Sequence, residues 1–252
     1  MFKTLIAAIL KQAFTKGIGK VWENKDMLSL YWKTLFGRYK KERIRFSISY
    51  LFRIKIPGTN SYLLVLNRRI QNQLQPVGGA YKRYGDDKLF ESLEFAPDTR
   101  RNGIGIDGIS DGDLRFTVPG RNVIKIIKWF EEGREREISG EREFKEELID
   151  QDILDKDAFA SIKYRHIRRV SKNLRYSEFH QCYEVLIYDI LELLPDQKQK
   201  DFLTNLSKIP FDLKNKYAIA ECEDIEQLRL VKNGHQAAKI GEHTKLIINQ
   251  NF

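Results

Sequence analysis

The sequence predicts a mixed α/β (α+β) domain over residues 43–252, preceded by a basic helical segment over 1–42. Three observations carry that prediction. Hydrophobic periodicity changes at Arg43 from helical spacing to alternation. Two alternating runs, RIRFSISYLFRIKI and SYLLVLNRR, flank a PGTN turn, which is the pattern of a β-hairpin. Helical patterns at 122–132 and 140–150 then sit among further extended runs.

The bulk properties fit this class. At 252 residues, 42% hydrophobic and 31% charged, the chain can bury a substantial core and has the composition of an ordinary soluble protein. Only Cys182 and Cys222 occur, 40 positions apart, which argues against a disulfide framework or a CxxC zinc site and fits a reducing cytoplasm. The net charge of +9 is unevenly placed. Residues 1–58 hold 13 Lys or Arg against Glu23, Asp26 and Glu42, while the other 194 residues sum to about −1. A local attraction to phosphates, acidic lipid or an acidic partner follows; specific DNA binding by the whole chain does not. The apolar run Leu5–Leu10 is far short of the roughly 20 residues that span a bilayer, so no transmembrane helix or signal peptide is expected.

In chain order, MFKTLIAAILKQAF places Phe2, Leu5, Ile6, Ile9, Leu10, Ala13 and Phe14 at helical spacing, with breaks at Gly17 and Gly19. Residues 26–39 form a second aromatic-rich helix pattern with Asp26 as cap. These helices either pack on the main domain or meet a protein partner or an anionic membrane surface. After the hairpin, QLQPVGGAYKRY adds a short extended piece broken by Pro76 and the Gly78–Gly79 pair. Residues 84–120 are the least regular and read as a turn-rich insertion. Within them DGISDGD is not a calcium loop, because Ile109 occupies the third ligand position and no Glu the twelfth. Asn122–Glu132 is a helix with a strong apolar stripe, stopped by Gly133. Ser139 then caps a helix over EREFKEELID. SIKYRHIRRVS, EFHQCYEVLIYDILEL and KYAIAECEDI read as strands, and IGEHTKLIINQ as a closing helix.

The second of the two central helices carries the chemistry. Glu143, Glu146 and Glu147 stand at i, i+3 and i+4, which places three carboxylates on one α-helical face. Arg142 can pair with Glu146, and Phe144 and Leu148 face the core. A water-facing helix would need nothing more. A hard divalent cation would also be served, because magnesium takes oxygen ligands, keeps some of its waters and completes its shell with substrate phosphates. One carboxylate could then act as general base. Lys82 and Arg83, after the Gly-Gly pair, are candidate phosphate contacts. Arg165, His166, Arg168 and Arg169 form a basic cluster, in which alternation would set Arg165 and Ile167 opposite His166 and Arg168. His180, His235 and His243 show no ligand spacing.

Arg142-Glu143-Phe144-Lys145-Glu146-Glu147 resembles the R-E-U-x-E-E heart of the Nudix box, where U is a bulky apolar residue. QPVGGAYK, following two hairpin strands, resembles the strand and Gly-Gly element that leads into that box. With YLFRIKI, SYLLVLNRR and WFEEGREREISGEREFKEELI, the chain is similar in particular to SMODS-associated Nudix domains over about residues 43–250. Those domains occur beside cyclic-oligonucleotide synthases in bacterial antiphage operons of the CBASS type. The resemblance implies a Nudix-like α/β/α sandwich with a mixed sheet. It implies Mg2+ (Mn2+ as substitute) on Glu143, Glu146 and Glu147, with Glu146 and Glu147 catalytic in an active enzyme. It further implies that Arg142 orients a glutamate and that Gly78, Gly79, Lys82 and Arg83 face the ligand.

The box departs from the family pattern. Lys128 and Arg134 stand where the opening Gly and the first Glu belong, and Ile149 replaces the later Gly. Glu135 and Glu137 are both available to supply the missing acid. The glycine pair lies more than sixty residues upstream, with the insertion between. The leading expectation is a nucleotide-recognition module of a CBASS-type system that binds a cyclic oligonucleotide or related signal. A magnesium-dependent pyrophosphohydrolase acting on a nucleoside diphosphate derivative is the alternative. A third is a partner- or membrane-surface-binding protein acting through residues 1–42, cytoplasmic and peripheral to the membrane.

Overall fold

A computed structural model of the protein describes residues 24–84, 88–98 and 112–248. The helix expected over residues 1–14 and most of DGISDGD lie outside them. The described residues form seven α-helices and eleven strands. In order these are α1 (Asn24–Leu35), β1 (Arg43–Arg53), β2 (Ser61–Leu66), β3 (Gln73–Gln75), β4 (Gly78–Ala80), α2 (Lys88–Ser92), β5 (Ala96–Pro97), β6 (Arg115–Pro119) and α3 (Val123–Glu132). The acidic helix α4 (Glu141–Phe144) follows, then β7 (Tyr164–Ser177), β8 (Cys182–Leu193), α5 (Gln197–Leu206), β9 (Tyr217–Glu221), α6 (Cys222–Gln227), β10 (Arg229–Lys232), β11 (His235–Ile240) and α7 (Lys245–Ile248). Among the described residues, no helix is long and apolar enough to cross a membrane.

Two sheets organise these elements. One has the order β5-β6-β1-β8-β7, with β4 also on β1; the other runs β10-β11-β3-β2-β9. The second sheet is mixed, since β11 and β3 pair in parallel while its other pairs are antiparallel. The chain divides into two compact units, one of Met1–Ser47, Arg83–Arg136 and Ser171–Ile187, the other of Ile48–Lys82, Glu137–Val170 and Tyr188–Phe252. Strands β1, β7 and β8 contribute residues to both.

In the first unit, Arg43–Ser47 pair antiparallel with β6, and β5 lies on the other side of β6. The stretch expected to be irregular therefore holds a paired strand. Phe46 stacks on Phe116 at 5.4 Å and Phe95 on Phe116 at 4.5 Å. Helix α3 buries Val123, Ile126, Ile127 and Phe130 at helical spacing, and Gly133 ends it in the left-handed conformation. The buried Arg45 guanidinium bonds Asp98 at 2.7 Å and Glu184 at 2.9 Å.

In the second unit, Ser49–Leu51 pair with β4. The core gathers Leu51, Leu64, Leu74, Ala218, Ile225, Leu230, Ile240 and Leu246. The run expected to be one strand over KYAIAECEDI splits after Glu221, where the Glu221–Asp224 capping box starts α6. The β10–β11 hairpin turns at Asn233 (φ 51°) and Gly234 (φ 78°), the paired positive φ values of a tight hairpin turn.

Buried Asp189 ties β8 to its surroundings. Its carboxylate accepts from Arg169 Nε at 2.6 Å and Nη2 at 2.8 Å, and from the Tyr81 hydroxyl at 2.9 Å, with His166 Nε2 at 3.1 Å. Burial alone would raise this carboxyl, but the Arg169 and His166 bonds bring it down from 3.8 to about 2. A depressed carboxylate stabilises the fold above its unfolded pKa and loses that contribution as pH falls through the folded one. Resistance to urea is accordingly expected to fall as pH drops from about 4 to about 2. Asp189→Asn should flatten that limb and cost about 3 kcal/mol at neutral pH by leaving the half-buried Arg169 guanidinium without its carboxylate. An unchanged acid limb in the variant would assign the effect elsewhere.

Candidate functional site

The acidic helix is seated by aromatic packing in the second unit. Gly140 precedes its first turn, where a Cβ would lie 2.6 Å from Leu191 Cδ1 and 2.9 Å from Phe52 Cε2. Only glycine permits that approach. The N-cap position expected for Ser139 is taken by Gly140, with no side-chain cap bond; Ser139 stands one residue before it, its hydroxyl accepting from Glu141 N–H at 3.1 Å. Phe144 packs on Phe52 with ring centroids 5.3 Å apart, and Leu148 is fully buried, as the sequence pattern required.

The helix does not continue as an α-helix. Lys145–Ile149 form a π-helical turn, closed by Asp150 N–H on the Lys145 carbonyl at 2.9 Å. A wider turn rotates the residues after it relative to those before, so the α-helical spacing expected for the glutamates does not hold. Glu143, Glu146 and Glu147 therefore address different partners.

Arg142 is the hub. Its Nε and Nη2 each lie 3.2 Å from a Glu137 carboxylate oxygen, and Nη2 also donates to the Ala80 carbonyl at 2.9 Å. Nη1 donates to Glu143 at 2.6 Å and reaches Glu146 at 3.5 Å. Burial works against this guanidinium, but the Glu137 bonds and the Glu143 charge outweigh it and push its pKa above the usual value. Glu137, buried, also accepts the Lys82 backbone N–H at 3.1 Å. The acid beside Arg142 is thus Glu137. Glu135 stands in a left-handed conformation in the first unit, and its carbonyl accepts from Tyr84 N–H at 2.6 Å.

The glycine pair lets the helix close on β4. A Cβ on Gly78 would run into the Tyr50 carbonyl, and one on Gly79 into the Glu143 carboxylate. Gly78 N–H donates to Glu147 at 2.9 Å. Burial dominates the Glu147 environment and pushes its carboxyl from 4.5 up to about 8; the Gly78 bond opposes the shift, and Glu143 adds to it. The Tyr50 hydroxyl accepts from Glu143 N–H at 3.3 Å, and burial raises its pKa. Arg68 donates to the Glu146 carbonyl at 2.7 Å. Arg68, Tyr50 and Glu137 complete the arrangement. Box spacing gave no signal for Arg68 or Tyr50.

The remaining sequence candidates fall as follows. Lys82 joins the group through its backbone, with its carbonyl accepting from Glu137 N–H at 2.7 Å. Arg83 belongs to the first unit, where its guanidinium lies 4.7 Å from the Phe90 ring centroid and 5.2 Å from that of Phe95. In the basic cluster, Arg165 pairs with Glu192 and Arg168 reaches the Leu246 carbonyl, while His166 and Arg169 share Asp189.

The donor type around Glu143, Glu146 and Glu147 is the one magnesium takes. Their positions are not those of a ligand set. Arg142 lies between the first two, and the third is committed to Gly78 N–H. Among the described residues, no group of three or more His, Cys, Asp or Glu is placed to hold a metal ion.

The raised Glu147 carboxyl costs stability once it ionises, so stability should decline as pH rises from about 4.5 to about 8. Glu147→Gln is expected to remove that slope while its amide oxygen still accepts from Gly78; thermal unfolding across the range checks this. Arg142→Met should cost about 3–5 kcal/mol in urea unfolding, because Glu137 is left buried without its partner.

The family model described as the SMODS-associated NUDIX domain matches residues 43–248 of the chain. No curated protein and no solved structure matches it.

Proposed function

Because the chain belongs to the family of SMODS-associated NUDIX domains, we propose that it is a nucleotide-recognition module of a CBASS-type antiphage system. Its ligand is a cyclic oligonucleotide or a related nucleotide signal. One observation carries recognition ahead of cleavage: the acidic side chains of the box are engaged by protein groups. Arg142 takes Glu143 and Glu137 and reaches Glu146, and Gly78 N–H takes Glu147. A carboxylate already paired with a guanidinium is a poor general base, and freeing it costs the pair. Phosphate contacts on this reading come from Lys82, beside the Gly78–Gly79 pair.

The hydrolase reading draws on a different observation. Glu146 is the most exposed carboxylate of the group, at 35% for its side chain, and its contact with Arg142 is the longest at 3.5 Å. It is the one group that could turn to a substrate without breaking a close pair. Magnesium, if required, would have to displace Arg142 from Glu143.

Calorimetry with a panel of cyclic di- and trinucleotides, with and without Mg2+, followed by chromatography of the recovered ligand, separates the readings. Recognition predicts saturable binding with the ligand returned intact, and a loss of about tenfold or more in Lys82→Ala, the worth of a charge-assisted hydrogen bond. Turnover that disappears in Glu146→Gln would establish the hydrolase instead. Failure of every ligand to bind a folded protein, with or without Mg2+, would end the recognition reading.

A further inference from the structure

Helix α1 packs with one side and leaves the other apolar. Leu30 and Thr34, four residues apart, are buried on the inner side, and the Thr34 hydroxyl donates to the Leu30 carbonyl at 2.7 Å. The opposite side carries Leu28, Trp32 and, just past the helix end, Phe36, again at four-residue spacing. They are 40%, 44% and 68% exposed. The Trp32 and Phe36 rings meet, with centroids 5.0 Å apart, so they form one continuous surface. An outward helix face is ordinarily polar, and a cluster of large exposed apolar groups marks an interaction surface.

The charge around this face has one sign. Residues 28–41 hold Lys33, Arg38, Lys40 and Lys41, all exposed, and no acidic residue. Arg38 donates to the Tyr39 hydroxyl at 2.5 Å and to the Tyr183 hydroxyl at 3.5 Å, neutral partners that leave its charge unbalanced. Three of these four cations are lysines. Lysine is scarce at protein–protein interfaces, where its strongly hydrated head would have to be dried, but it suits a diffuse anionic surface that demands no fixed geometry. Stacked nucleobases would need open ring faces in succession; Leu28 offers none, and Tyr39 and Tyr183 already pack against each other in a T at 4.7 Å. Aromatic and aliphatic groups flanked by cations are the composition that lies among lipid headgroups.

We propose that the outer face of α1 is a docking surface for an anionic lipid bilayer. Leu28, Trp32 and Phe36 enter the headgroup region, and the cations beside them meet the lipid phosphates and carboxylates. The surface lies within the first unit and shares no residue with the Arg142 network, so it does not depend on the nucleotide reading above.

Co-sedimentation of the full chain with vesicles of phosphatidylcholine containing about 30 mol% phosphatidylserine, against phosphatidylcholine alone, tests the surface. Wild type should bind the anionic vesicles about tenfold or more tightly than the neutral ones, and should be released as sodium chloride is raised. Trp32→Ser combined with Phe36→Ser should weaken that binding about tenfold or more, the worth of withdrawing two large apolar groups from the lipid boundary. Both side chains are exposed, so this double variant should melt with wild type when no lipid is present. Lys40→Glu combined with Lys41→Glu should lose binding as well while leaving the apolar face intact. Melting of the aromatic variant clearly below wild type would mean that the face is covered within the chain or by a second copy, and would overturn the proposal. Equal binding to neutral vesicles, or unchanged binding in both variants, would overturn it too. So would a parallel arm in which a single-stranded oligonucleotide binds tightly through Trp32 and Phe36 while vesicles do not.

Discussion

Arg142 sets the terms for everything around the Gly-Gly element. Its guanidinium bonds Glu137, Glu143 and the Ala80 carbonyl, so one side chain fixes the loop before the helix, the helix itself and the end of β4. Such a cation is costly to bury alone and valuable when every donor is used. The backbone must come to it. Gly78 and Gly79 allow that, because any Cβ would strike the Tyr50 carbonyl at the first position and the Glu143 carboxylate at the second. Aromatic packing of Phe144 on Phe52 supplies the apolar side of the same constraint.

The π-helical turn follows from these demands. A regular α-helix would carry Glu146 and Glu147 round to the face of Glu143, crowding three carboxylates around Arg142. The wider turn after Phe144 sends Glu147 inward to Gly78 N–H and leaves Glu146 at the rim. Glu147 bears the consequence, as a carboxyl that resists ionisation in its buried position. Insertions of this kind concentrate at functional positions because they re-aim side chains at a modest backbone cost.

Much of this was legible in the residues. The extended runs of β1 and β2, the apolar stripe of α3 with its Gly133 stop, and the anchoring of Phe144 and Leu148 all follow from periodicity and cap chemistry, which are local. The hairpin expected between β1 and β2 is reduced to a bridge between Lys55 and Tyr62 beyond the end of β1, because each strand pairs with other strands in a different sheet. The partnership of the glycine pair with the acidic helix was legible only through the family resemblance, since more than sixty residues separate them. What escaped is non-local. Nothing in the spacing distinguishes Glu137 from Glu135; the difference is a left-handed backbone at Glu135 and the direction in which the chain leaves it. The π turn has no sequence signature of its own. Other elements carry a local signal in their residues. Asn233-Gly234 is a tight-turn dipeptide, and Asp196 with Gln199 is a capping box that starts α5.

The arginines of β7 show why charge counts mislead. Arg165, His166, Arg168 and Arg169 look like one basic patch in the sequence, yet they reach two different carboxylates and a backbone carbonyl. Their strand also ends its sheet in the order β5-β6-β1-β8-β7 among the described residues. A terminal strand offers open backbone groups to any other strand, and guanidiniums along it oppose self-pairing, because an antiparallel copy would set arginine against arginine. Structural anchoring and protection of the edge therefore account for most of this cationic group. Arg168 is the exception. Its one bond is to the Leu246 carbonyl, its Nε is buried without a partner, and burial pushes its guanidinium below the usual pKa, so among the described residues no carboxylate balances it as Glu192 balances Arg165 and Asp189 balances Arg169.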